Sequence, residues 1–204
     1  MRLPVWLKIG WTIWLIVWVP VYWHQYGPQN FLFFCDIGNL LIGIGLWLES
    51  PLIFSWVACG LLVFQSLYTI DFTGALLTGH HLIGGTEYMF DQHLPVLIRV
   101  LSLFHVATPP LLLWAIWCLG YDPRGWKLQT LTAWIVVPIN YFWHPELDVN
   151  WARGLFFRDQ HVMPGWLWLL GYLLVVPLGI YLPTHASLAW LTKHWPNRRL
   201  QVLH

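Results

Sequence analysis

Residues 95–120 read PVLIRVLSLFHVATPPLLLWAIWCLG. A membrane-crossing helix takes about 20 mostly apolar residues, and this run meets that length. It also carries a guanidinium at Arg99 and an imidazole at His105. An ionisable group at bilayer depth is costly, so it faces a partner or a cavity and marks a working part of the protein. Prolines 109 and 110 sit inside the run, and membrane helices tolerate such kinks because neighbours or waters satisfy the freed carbonyls.

Working outward, five further segments qualify as spans: residues 4–23, 30–49, 51–71, 126–144 and 165–190. The reading is an all-α fold, a polytopic bundle of six transmembrane helices. Connections are short except at 72–94 and 145–164. No repeat, low-complexity tract or flexible linker divides the chain, so residues 1–204 are expected to form a single transmembrane domain.

Composition supports this class. Hydrophobic residues make up 58% of the chain and charged residues 9%, against roughly 25% charged in a soluble domain. Mean hydropathy is +0.58. A formal charge of +1 with no basic face argues against nucleic acid as a partner. Membrane lipids are the expected partners, and other membrane subunits are compatible with the sequence. Cys35, Cys59 and Cys118 all lie in apolar runs without metal-type spacing. The positive start at Arg2 and Lys8 is followed by no small-residue cleavage site, so it reads as a retained first helix.

Lysine and arginine set the expected orientation. With the N-terminus cytoplasmic, that side receives Arg2, Lys8, Arg124, Lys127, Lys193, Arg198 and Arg199, and the other side only Arg153 and Arg158. Both termini are therefore expected inside, in what reads as a bacterial inner (plasma) membrane. Helices two and four then enter from outside. At about 1.5 Å per residue, Cys35, Asp36 and Asn39 lie roughly 8–14 Å down, and Arg99, Ser102 and His105 roughly 6–15 Å down. Gln65, Tyr68, Asp71, Asn140 and His144 approach the same level from the other helices, while the inner halves are nearly pure Leu, Ile, Val and Trp.

These depths predict a polar pocket in the outer half of the bilayer. Asp36 and Arg99, opposite in charge and alike in depth, are expected to pair, since an unpaired buried charge costs several kcal/mol. Arg99, Ser102 and His105 share a broad face of helix four. The loop at 72–94 reads either as a lid over the pocket or as an interfacial segment. The stripe Trp11, Trp14, Trp18 reads as packing or lipid-facing. External histidines such as His80, His81 and His93 show no H-x-x-x-H or H-E-x-x-H pairing, so no metal is expected. Only His105 is at mid-helix depth, which argues against haem, and no cofactor is expected.

Phe31-Leu32-Phe33-Phe34-Cys35-Asp36-Ile37 resembles the "L-C-D-I" region of YwaF-like bacterial integral membrane proteins. The longer run YGPQNFLFFCDI, residues 26–37, is similar to a bacterial family described only as membrane-associated. The six-helix layout and the Tyr121-Asp122 step also resemble the androgen-induced hydrolases of fatty-acid esters of hydroxy fatty acids. In those a helix-two threonine is the nucleophile and a later histidine assists it. The overlay puts Phe33 at the threonine position and His144 at the histidine position, so Cys35 would have to serve as nucleophile. A thiolate can do so if a histidine or cation favours it, as His105 and Arg99 could, although Asp36 opposes it.

Two functions follow. The first is a non-catalytic multi-pass membrane protein of unassigned specific function, a subunit or small-ligand binder, with its pocket in the outer half. The alternative is an intramembrane lipid acyl hydrolase or acyltransferase. There Cys35 would be nucleophile, His105 or His144 base, and Asp36 and Arg99 orienting groups. A transporter finds little support without inverted halves.

Overall fold

The computed structural model describes residues 2–143, 147–155 and 161–195. Among these residues there are helices and turns and no strand. The helices are α1 (Val5–Tyr26), α2 (Phe34–Leu48), α3 (Pro51–Thr78), α4 (Val96–Leu101), α5 (Phe104–Leu119), α6 (Gly125–Trp143), α7 (Gly165–Val176) and α8 (Leu182–His194). With α4–α5 and α7–α8 each forming one interrupted rod, the order follows the six expected segments. Four rods, Val5–Tyr26, Pro51–Thr78, Val96–Leu119 and Gly165–His194, are long and apolar enough to cross a membrane. The apolar α2 has 15 residues and α6 has 19.

The ends of these rods have local causes. Gly27, at φ 80°, stops α1, and Pro28–Leu32 form a 3-10 turn before α2 begins at Phe34 rather than at residue 30. Positive φ carries no steric penalty for glycine. The head of α2 is completed from far away: Phe34 N donates to Asn150 Oδ1 (2.9 Å), and Asn150 Nδ2 donates to Leu32 O (2.8 Å). Ser50 caps α3 by accepting from Ile53 N (3.4 Å), with Pro51 in the first turn, where a missing N–H costs nothing. Helix α3 continues to Thr78, about two turns past the expected end at 71, because Asp71 is buried inside the fold.

The fourth rod is interrupted at Ser102–Leu103, where Leu103 N, His105 N and Val106 N bond three residues back. The bend expected at Pro109–Pro110 is therefore displaced one to two turns toward the N-terminus, and α5 runs through both prolines. A helical proline crowds the carbonyl four residues before it, so the disturbance falls at His105 and Val106.

Helix α3 is the axis of the bundle, touching α2, α5, α6 and α8. On one side of the midplane its neighbours are apolar: Ile42 and Leu46 from α2, Leu112 and Ile116 from α5, and Leu188 from α8 surround Phe54 and Val57. Gly125 allows α6 to meet the α3 backbone, since a Cβ there would lie 2.5 Å from the carbonyl carbon of Ser55. The tryptophan stripe packs inward. Trp18 is fully buried, stacks on Trp14 (5.4 Å, 18°) and meets Phe31 edge-on (5.3 Å, 87°).

Candidate functional site

Polar side chains converge where α1, α2, α3 and the break in the fourth rod meet. Ser102 stands at that break. Its hydroxyl donates to Ile98 O (3.0 Å), hydrogen-bonds to Tyr22 OH (2.6 Å) and is reached by Tyr88. Tyr88 OH joins Tyr68 OH (2.7 Å), so a chain of hydroxyls links α1, the fourth rod, the loop and α3. Burial pushes the Tyr88 phenol up from its ordinary value, which keeps this chain neutral. His105 Nδ1 donates to Ser102 O (2.8 Å), because a carbonyl can only accept, and the lone pair is left on Nε2. The imidazole stacks on Tyr68 (4.5 Å, 21°) and lies tilted against Phe104 (4.0 Å, 30°).

Asp36 is 2% exposed and accepts from Asn30 Nδ2 (2.5 Å) and from Cys35 Sγ (3.6 Å). The expected Asp36–Arg99 ion pair does not form: the pairs among the described residues are Lys8–Glu49, His81–Asp71 and Arg124–Asp122. Arg99 Nη1 instead donates to Met89 O (3.4 Å), and its Nε is buried without a protein partner. Equal depth placed the two charges at one level but not at one azimuth, and α4 turns Arg99 toward the loop. Cys35 and His105 are likewise not hydrogen-bonded to one another. Cys35 is engaged with its neighbour Asp36, and an ionised thiol would set two negative charges side by side. His144 lies outside the described residues. Asn39, Gln65 and Asn140 are buried, with both amide atoms unpartnered.

The loop after α3 lies over the cluster. Its clamp is Asp71, which is fully buried. Asp71 Oδ1 accepts from Ile83 N (2.7 Å) and Gly84 N (3.0 Å), and Oδ2 accepts from the Thr86 hydroxyl and from His81 Nδ1 (3.1 Å). Met89 is buried beneath the same segment. The loop is thus a fixed cover tied down by one carboxylate. Two surface hollows lie elsewhere. One of about 400 Å3 is lined by Pro20, His24 and Gln25 of α1 and by Pro95, Leu97 and Ile98 at the head of α4. The other, about 490 Å3, is lined by Pro51 and residues 119–124 at the opposite end. Neither includes Cys35, Asp36, Arg99 or His105.

A second polar cluster stands at that opposite end. Tyr121 OH contacts His185 Nδ1 (2.7 Å) and Cys59 Sγ (3.4 Å), while Asp122 N donates to Ser55 Oγ (2.8 Å). Sequence reading noted Cys59 only as a thiol in an apolar run and Tyr121-Asp122 only within a resemblance, gave none of these residues a site, and passed over Tyr22 and Tyr88. Tyrosines in tryptophan-rich runs look like interfacial anchors, and the partners are 62 to 80 residues apart. Among the described residues no three His, Cys, Asp or Glu side chains are grouped to hold a metal ion. No protein-family model, curated protein or solved structure matches this chain.

Proposed function

We propose that this chain is a multi-pass integral membrane protein whose six rods all cross a bacterial plasma membrane, with both termini cytoplasmic. Its working part is the cluster around Ser102, which holds a small hydrogen-bonding ligand without covalent chemistry. The observation that carries this reading is the convergence of Tyr22, Tyr68, Tyr88, Ser102 and His105 from four elements into one neutral network, with His105 Nε2 keeping its lone pair. Such a network offers donors and acceptors in apolar surroundings, where they are electrostatically strong. Four apolar rods of spanning length support the membrane assignment, and the lysine and arginine bias supports the orientation.

The ligand reading is tested by mass spectrometry of small molecules that co-purify with the protein from its own membranes. A molecule retained by the wild type and lost from Ser102→Ala and His105→Gln is the expected result. An identical retained set in all three proteins refutes it. Labelling of the wild type, but not of Cys35→Ala, by a cysteine-directed acyl probe would establish acyl transfer instead. For orientation, an impermeant thiol reagent applied to intact cells should label Gln92→Cys and spare Arg124→Cys, and the reverse pattern overturns the topology.

A further inference from the structure

We propose that the end of the bundle opposite the Ser102 cluster binds the head group of an anionic phospholipid, held by His185 and Lys127 and oriented by Tyr121. The Tyr121 oxygen sits between His185 Nδ1 (2.7 Å) and Cys59 Sγ (3.4 Å). Sulfur is a weak acceptor, so the phenol donates to the imidazole and the thiol donates to the phenol oxygen. That arrangement places the imidazole hydrogen on Nε2, and no described residue takes it up. Trp126 lies against the same ring (5.9 Å between centroids), in the position of an interfacial tryptophan.

Lys127 follows directly in α6, is exposed, and stands near enough for its charge to be felt at His185. It forms no ion pair among the described residues. The carboxylates at this end are already engaged: Asp122 pairs with Arg124 (2.7 Å), and Glu49 pairs with Lys8 (2.5 Å). Lys127 and the His185 N–H therefore remain as a cation and a donor with no acid opposing them. This is the chemistry a phosphodiester oxygen fits.

The apolar surface below distinguishes a lipid from a free anion. Leu131 and Trp134 follow Lys127 at four and seven residues on α6, and both are about half exposed. Leu182 precedes His185 by three residues on α8 and is also exposed. Positions three, four and seven apart share one helix face, so both basic groups head an exposed apolar lane. A head group at Lys127 and His185 would lay its acyl chain along that lane, as basic pockets between membrane helices do with anionic lipids.

The test is native mass spectrometry of the full chain in detergent, titrated with phosphatidylglycerol or with phosphatidylcholine of the same acyl chains. Phosphatidylglycerol should be retained in preference. Lys127→Gln, at an exposed position, should weaken it about fivefold, the contribution of one basic side chain at an anionic surface. Tyr121→Phe removes one oxygen, frees His185 and should weaken it as well. Arg2→Gln, an exposed cation at the same end just ahead of α1, should change nothing. Equal retention of the two lipids overturns the proposal, as does an equal effect of Arg2→Gln and Lys127→Gln. Unchanged binding by Tyr121→Phe removes His185 from the site and also overturns it. Stabilisation by inorganic phosphate alone, matching that of the lipid, would identify a soluble anion as occupant and rule out the lipid.

Discussion

Replacing Asp71 by asparagine should release the cover over the Ser102 cluster while leaving the helical bundle assembled. The carboxylate holds two backbone amides on Oδ1, and the Thr86 hydroxyl and the His81 ring on Oδ2. Asparagine keeps one oxygen and turns the other acceptor into an NH2 group. With the NH2 group toward Ile83 N and Gly84 N, two donors face another donor; turned the other way, the Thr86 hydroxyl and the His81 ring must switch from donating to accepting. A buried donor without an acceptor costs about 1–3 kcal/mol, so Asp71→Asn should destabilise the loop by up to about 6 kcal/mol. Because the loss is local, it should appear as faster hydrogen exchange in the peptide containing Ile83 and Gly84. Taking about 3 kcal/mol, the open population rises about a hundredfold. Thr86→Val removes one donor and leaves Asp71 three, so a loss near 1 kcal/mol and a roughly fivefold increase are expected. Exchange at Ile83 and Gly84 that is unchanged in Asp71→Asn, or an effect of Thr86→Val as large as that of Asp71→Asn, would refute this account of the cover.

Three further outcomes follow from the same geometry. Tyr22→Phe and Ser102→Ala should each lower thermal stability, and their double-mutant cycle should show a coupling of about 0.5–1.5 kcal/mol, whereas additive effects would mean the hydroxyls do not meet. Gly125→Ala should destabilise by about 1–3 kcal/mol, because the new methyl meets the Ser55 backbone and not the end of a flexible side chain. Gly43→Ala, facing the tip of Leu15, should cost less in the same thermal unfolding experiment. The Arg124 guanidinium holds the Asp122 carboxyl below its ordinary value. A depressed carboxyl contributes stability above the unfolded pKa and loses it as pH falls through the folded one. The wild-type melting temperature should therefore fall in that acidic window, and Asp122→Asn should remove this component.

Hydropathy alone made the helical rods legible, because a bilayer demands long apolar runs and short polar turns. Their ends were less so. Residues 30–33 are as apolar as the helix they precede, and only Pro28 and the reach of Asn150 hold them outside it. Depth along a helix was also legible, and it brought Ser102, His105, Tyr68 and Asp36 to one level. Azimuth was not. Arg99 and Asp36 satisfy a depth argument, yet the break at Ser102–Leu103 and the carbonyl of Met89 decide where Arg99 points. Asp71 read as a residue at a helix end, because its four partners lie in a glycine-rich loop without periodicity. The Cys59–Tyr121–His185 contact joins α3, the turn after α5 and α8, with no local signal to connect them.

The amide of Asn150 finishes the head of α2 across 116 and 118 residues of chain. This bears on the timing of biogenesis. While α1 and α2 are emerging from the ribosome, the segment that completes the first turn of α2 has not yet been synthesised. Cys35 and Asp36 lie in that turn, so they reach their final geometry only after α6 is in place and residues 147–155 have docked. A chain released before Asn150 can carry five of its six rods and still lack a finished Asp36 site. Quality control that monitors exposed polar groups would meet an unfinished α2 for about half of synthesis, from residue 48 to residue 150 of 204.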